Sequence, residues 1–273
     1  MTANRDVKKE VKSMSDPITM TQDEGIARLI LNRPAVFNAF DHDMVEHLAR
    51  HLVMLAVDDN VRGVVISGEG KGFCVGGDIR WVSEFSLGPS VAFHKLAASF
   101  HQAILEIRRM PKPVIAAING IAAGGGFSLA LACDFRIMAR SAILRQAYTS
   151  NGLCIDGGGT FTLPRIVGLA RALEIAGFDA HISSEQALTW GLVTKVVDDG
   201  RSLEEAVSMA HELSNHSLHS FGWSKQLLTD SFNTAFEAHI ERERIGLCSC
   251  AEHPDGKEGI QAFVDKRKPT FRT

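Results

Sequence analysis

Apolar residues recur at two spacings along this chain, and the spacing changes partway. In the first half, short apolar runs alternate with helical stripes. Ile18 to Met20 and Ile26 to Leu31 read as strands joined by the turn Asp23-Glu24-Gly25. Asp41 caps a helix to about Ala56, with Met44, Val45, Leu48, Leu52 and Leu55 on one stripe. Val61 to Ser67 reads as a short buried strand, and Gly68 to Asp78 as a glycine-rich loop. A second helix runs from about Ser90 to Arg109. Pro111 and Pro113 stop it and lead into the strand Val114 to Ile118. A short helix, Gly124 to Ala132, and a strand, Phe135 to Ala139, follow.

Beyond Gly157 the spacing is mostly helical. Gly168 to Gly177 is one helix, and Ser183 with Gln186 forms a capping box for another ending at Trp190-Gly191. Leu192 to Val197 reads as a strand. Helices then cover Leu203 to about His216, Phe221 to Phe232, Thr234 to about Cys248, and a last one starts near Asp255. The pattern predicts an α/β core with a helical C-terminal portion. The expected division is a disordered tail over 1–16, a core over 17–200 and a helical region over 201–273.

Composition adds exclusions. With 45% hydrophobic and 22% charged residues, the chain reads as a soluble globular protein. A net charge of −3 gives no electrostatic case for nucleic acid. Met1 to Pro17 is charged and lacks the apolar stretch of a secretory signal, and no apolar run reaches the ~18 residues that span a membrane. A cytoplasmic location with no membrane partner is the expectation. Five cysteines, with only Cys248-x-Cys250 closely spaced, point to reduced thiols rather than a zinc site.

Candidate chemistry lies in three segments. Asn119 to Asp134 carries Gly124-Gly125-Gly126 between a buried strand and a helix, so backbone N–H groups there are free to hold an anion or a developing oxyanion. Tight-turn packing explains the same glycines. A second glycine loop, Gly72 to Ile79, also follows a strand, and one N–H from each loop would make an oxyanion hole. Asp156 sits in the apolar run Gly152 to Gly159, where poor solvation would raise its pKa toward proton transfer near neutrality. The competing reading makes it the cap of a helical turn at Gly158 to Leu163. Gly68 to Gly72 lacks the Ser or Thr of a phosphate loop. His47 and His51 lack the Glu of a zinc-hydrolase helix, and no G-x-S-x-G elbow occurs.

These segments resemble the crotonase (enoyl-CoA hydratase/isomerase) superfamily. The matching residues are Leu31-Asn32-Arg33-Pro34 with Asn38-Ala39, Gly72 to Asp78, Lys112 to Asp134, Gly157 to Thr160, Ala187 to Val193 and Glu258 to Phe263, spanning roughly 18–270. The resemblance implies a spiral of β-β-α repeats with a helical C-terminal trimerisation region, and a homotrimer or a dimer of trimers. It implies an acyl-CoA thioester as substrate, with no metal and no redox cofactor; coenzyme A enters only as part of the substrate. By position the oxyanion N–H groups fall on Gly77 and Gly125. The two hydratase glutamates fall on Ser128 and Tyr148, whose ordinary pKa values lie far above 7. Asp156 falls where isomerases of dienoyl-CoA and of ring-epoxide phenylacetyl-CoA esters, and an aryl-CoA dehalogenase, carry a catalytic Asp.

The stretch Asn151 to Arg165 looks most like the phenylacetate-pathway isomerase branch, so an isomerase is expected over a hydratase. By the same resemblance, Val75, Gly76, Asp78, Ile79 and Gly124 line the coenzyme A side, and Arg28 and Arg33 meet phosphates. Phe263 and Lys266 reach a neighbour's adenine site. The acyl pocket is expected from Trp81 to Leu87 and the C-terminal helices.

Overall fold

The computed structural model of the protein describes residues 16–271. All of the expected tail except Asp16 lies outside those residues. Asp16 is held in place: its carboxylate accepts from the Ile18 N–H at 3.2 Å and faces His47 Nδ1 at 3.1 Å.

Strands β1 (Ile18–Asp23) and β2 (Ile26–Leu31) form the foreseen hairpin across Glu24 and Gly25. Helix α1 (His42–Val57) is capped by Asp41, whose side chain accepts from the Met44 N–H at 2.9 Å. Next come β3 (Gly63–Gly68), β4 (Gly72–Cys74), α2 (Ile79–Ser83) and α3 (Pro89–Arg109). They are followed by β5 (Val114–Ile118), β6 (Ile121–Ala123), α4 (Gly125–Ala132), β7 (Phe135–Ala139), β8 (Ile143–Arg145) and α5 (Gly159–Val167). Then come α6 (Leu169–Phe178), β9 (Ile182–Ser183), α7 (Ser184–Thr189) and β10 (Lys195–Val197). The foreseen strand at Leu192 is shorter than its apolar run, because Leu192 and Val193 turn back onto the Ala187 carbonyl. Helices α8 (Ser202–Ser214), α9 (Leu218–Asp230), α10 (Phe236–Glu252) and α11 (Pro254–Val264) complete the chain.

Two sheets result. The larger has the order β1-β2-β3-β5-β7-β10, parallel except for the hairpin, and the smaller has the order β4-β6-β8-β9. The pairs β3/β4, β5/β6 and β7/β8 each give their first strand to the large sheet and their second to the small one before helix follows. This is the expected spiral of β-β-α repeats. Among the first strands β5 is wholly buried and β3 is buried up to Gly68, as a parallel sheet covered on both faces requires. In β5, Val114, Ala116 and Ile118 face the main core, while Ile115 and Ala117 face the opposite layer.

That opposite layer is α8, whose Ala206 and Ala210 pack with Val65, Ile115 and Ala117. By packing, α8 therefore belongs to the α/β unit, although the expected division places it beyond residue 200. Helices α10 and α11 instead leave Phe236, Ile240, Leu247, Ile260 and Phe263 exposed. All five cysteines are free thiols. No helix among the described residues is long and apolar enough to cross a membrane.

One buried ion pair ties α9 to the sheet. Lys225 Nζ donates to Asp134 Oδ2 at 2.7 Å and to the Ile107 carbonyl at 2.7 Å. Burial pushes the Asp134 carboxyl up, and the Lys225 charge opposes that rise. Lys225→Met should leave a buried carboxylate unpaired and lower stability by about 3 kcal/mol near neutral pH. Without its partner, Asp134 titrates still higher, so the deficit should shrink as pH falls and the carboxyl protonates. Urea unfolding of both proteins at two pH values measures this.

Candidate active site

The small sheet assembles the site. Strands β4 and β6 are parallel neighbours, with Gly72 opposite Ile121 and Cys74 opposite Ala122; β8 pairs with β6 on its other side. Parallel strands in register end on the same edge, so the loops after β4, β6 and β8 emerge side by side. Those loops carry Gly77, Gly125, and Tyr148 with Asp156. Gly76 has φ +86°, and a Cβ there would lie 2.7 Å from the Gly125 nitrogen. Only glycine lets the two loops approach this closely. Phe40 fixes the first loop: its N–H donates to the Gly76 carbonyl, and its carbonyl accepts from Asp78. The Gly77 and Gly125 N–H groups donate to no backbone group among the described residues. Gly125 opens α4, where the N–H groups have no acceptor within the helix.

Both glycines border a cavity of about 420 Å³, and Tyr148 and Asp156 line it with them. Helix α3 supplies the apolar wall through Phe93, Leu96, Ala97 and Phe100. Asp156 does not cap α5. Gly158 occupies that position with φ 76° and no side-chain cap, and the Asp156 carboxylate turns toward the cavity instead. Tyr148 Oη approaches Asp156 Oδ1 at 3.4 Å, and His101 Nε2 lies 3.6 Å from Oδ2. Ser128 Oγ donates to the Asp156 main-chain carbonyl at 2.7 Å, fixing the loop through its backbone rather than through the carboxylate. Burial raises the Asp156 pKa; the His101 charge and the Tyr148 hydrogen bond pull it partly back. Burial and the Asp156 charge both push the Tyr148 hydroxyl up, so it stays protonated.

Gly77, Gly125, Ser128, Tyr148 and Asp156 therefore come together. Several other candidates do not reach the cavity. Gly124, with φ 53°, spends its N–H on the Arg145 carbonyl and is a turn residue. Gly76 donates to Cys74 Sγ, and Val75 donates to the Phe37 carbonyl. Asp78 caps α2 through the Trp81 N–H and pairs with Arg33 at 3.0 Å. Arg33 also pairs with Asp41 at 3.1 Å, so two carboxylates offset its charge. Arg28 lies on β2 near Asp23, and Ile79 is exposed at the start of α2. Phe263 is 85% exposed on α11 and Lys266 follows that helix, both away from the cavity within the single chain.

The acyl-pocket expectation needs correction. Trp81 and Phe85 pack against each other and the main core, and the wall they were expected to form is α3. In the sequence His101 is one of eleven scattered histidines with no motif to single it out. Its signal was its place on α3 beside Phe100, which borders the cavity.

Comparison with known proteins identifies the family. The Enoyl-CoA hydratase/isomerase family profile matches residues 21–273. The chain is 35% identical over 250 residues to the 1,2-epoxyphenylacetyl-CoA isomerase of Escherichia coli K12, covering 91% of this chain and 95% of that protein. It is 36% identical over 257 residues to a probable enoyl-CoA hydratase of Bacillus subtilis, covering 93% and 98%. The crystal structure of an enoyl-CoA hydratase from Polaromonas sp. JS666 superposes with a TM-score of 0.89 at 34% identity, covering 93% of this chain and 99% of that one. The paired glycine loops, the spiral of repeats and these matches together make the chain an enzyme of the enoyl-CoA hydratase/isomerase family.

Proposed function

We propose that the protein shifts the double bond of an enoyl-CoA between the 3 and 2 positions through a thioester enolate. The Gly77 and Gly125 N–H groups hold the thioester oxygen as it gains charge. Asp156 removes a proton at one carbon and returns it at another. Among the described residues, Asp156 is the only carboxylate lining the cavity with these two glycines, and this observation carries the reading. Ser128 and Tyr148 stand at the hydratase acid positions, and neither ionises near neutrality to activate water. The relatives' names support the family and divide between isomerase and hydratase. The proposed assembly is a homotrimer or a dimer of trimers, in keeping with the exposed apolar side chains of α10 and α11.

Incubation with a 3-enoyl-CoA, read by mass and by absorbance of the conjugated thioester, tests the reading. A product of unchanged mass with the 2,3 double bond is the expected result; addition of water would overturn it. Asp156 works ionised, so the rate should rise with pH through its raised pKa, placing the acid limb above the usual carboxylate range. His101→Gln removes the charge that opposes the rise and should move the limb higher still.

The His101–Asp156 pair favours one alternative on the same frame. There an Asp156 oxygen bonds to the acyl-group carbon as its leaving group departs with the bonding pair. His101 then takes a proton from the water that cleaves the resulting ester. Release of halide or free coenzyme A distinguishes this route, and tight acyl-CoA binding without turnover identifies a binding protein.

A further inference from the structure

A second cavity, of about 270 Å³, is set between the end of α4, α5 and α9. Arg108, Arg136, Arg165 and Lys225 all line it, and among the described residues Asp134 is the single acidic residue doing so. Lys225 already neutralises Asp134 at 2.7 Å. Arg136 spends Nε and Nη1 on the Leu192 and Cys133 carbonyls, which carry no net charge. Arg108 and Arg165 form no ion pair among the described residues. Asp230, the acid acting on Arg108 from α9, is bound to Arg242 at 2.8 Å.

The two guanidinium groups without an ion pair share one ring, and Arg165 Nη1 also donates to the Phe161 carbonyl at 2.7 Å, a bond that carries no net charge. Arg165 Cζ lies 3.4 Å and Arg108 Cζ 4.9 Å from the Phe161 centroid, and Arg165 also lies 5.0 Å from the Phe232 ring. Stacking on an aromatic face explains one of these cations. It does not explain the second, which brings a like charge to the same ring. Burial and the Arg165 charge both weaken the hold of Arg108 on its proton. With a net charge of −3 for the whole chain, the local excess of cations is not inherited from composition.

A bound oxyanion resolves the repulsion. Guanidinium nitrogens reach phosphate oxygens at about 2.8 Å, and two forks within about 8 Å of each other can share one tetrahedral anion. An adjoining cavity of about 450 Å³ shares Arg108 and Thr229 and adds Arg109 together with Asp230, which Arg242 pairs at 2.8 Å, leaving room for a group attached to the phosphate.

We propose that the pocket between α4, α5 and α9 is a phosphate-binding site built on Arg108 and Arg165. Calorimetric titration with inorganic phosphate at constant ionic strength tests it on the wild type and on Arg108→Gln/Arg165→Gln. Saturable binding by the wild type, weakened at least about tenfold in the variant, is the expected result. Equal binding by both proteins, or none by the wild type at millimolar phosphate, overturns the proposal. Circular dichroism establishes that the variant is folded; should the double variant fail, Arg165→Gln alone serves, since Arg165 is exposed. Competition by 3′,5′-ADP assigns the site to phosphates of coenzyme A type, and its absence to the free anion. A change of molar mass in the variant, with phosphate binding unaltered, means that a second copy's carboxylates meet these cations and rejects the site.

Discussion

Asp156→Asn should cut turnover of a 3-enoyl-CoA by about 10²–10⁴-fold, the usual cost of losing a general base. The amide keeps the shape of the carboxylate and accepts no proton at neutral pH. The loop should hold its place, because Ser128 grips the main-chain carbonyl of residue 156 rather than its side chain. KM should change little, since the substitution leaves the two glycine N–H groups proposed to receive the thioester oxygen in place. Stability should not fall. Burial raises the folded-state pKa of Asp156, so the ionised group works against folding above its unfolded pKa. A neutral amide removes that penalty, and the melting temperature should stay level or rise. Steady-state kinetics alongside thermal melts separate the two effects, and unchanged turnover would remove Asp156 from the mechanism.

The larger sheet was legible because its strands are continuous apolar runs such as Val114 to Ile118, bounded by proline or glycine. The smaller sheet was not. Its strands are two or three residues long, Gly72–Cys74 and Ile121–Ala123 among them, too short for any period to register. They read as loops, yet their parallel pairing brings the two glycine segments together. Sequence therefore named Gly77 and Gly125 through resemblance, while the reason for their meeting lies in backbone pairing between residues about fifty positions apart.

Asp156 was ambiguous for a related reason. A carboxylate before a helix reads as a cap, and only Gly158 in the left-handed region shows that the cap is elsewhere. His101 was invisible because its significance depends on an Asp from a distant segment. Arg33 reads as a phosphate ligand until Asp41 and Asp78 are seen against it.

The proposed oxyanion role can be tested by a substitution that deletes a single N–H. Gly125→Pro should lower kcat by about 10²–10³-fold, the range for losing one oxyanion donor. Residue 125 is the first of α4, where proline's missing N–H breaks no helical hydrogen bond. The ring would also sit where the thioester oxygen approaches, so the upper part of that range is expected. Gly125→Ala is the control. It keeps the N–H, and its Cβ would meet the Phe40 ring at 3.4 Å, an ordinary contact. The alanine variant should stay within a few-fold of wild type while the proline variant falls, both retaining the far-ultraviolet dichroism of the parent. A proline variant as active as the alanine one would show that the N–H at 125 does not hold the developing charge. The chemistry would then rest on Gly77 alone.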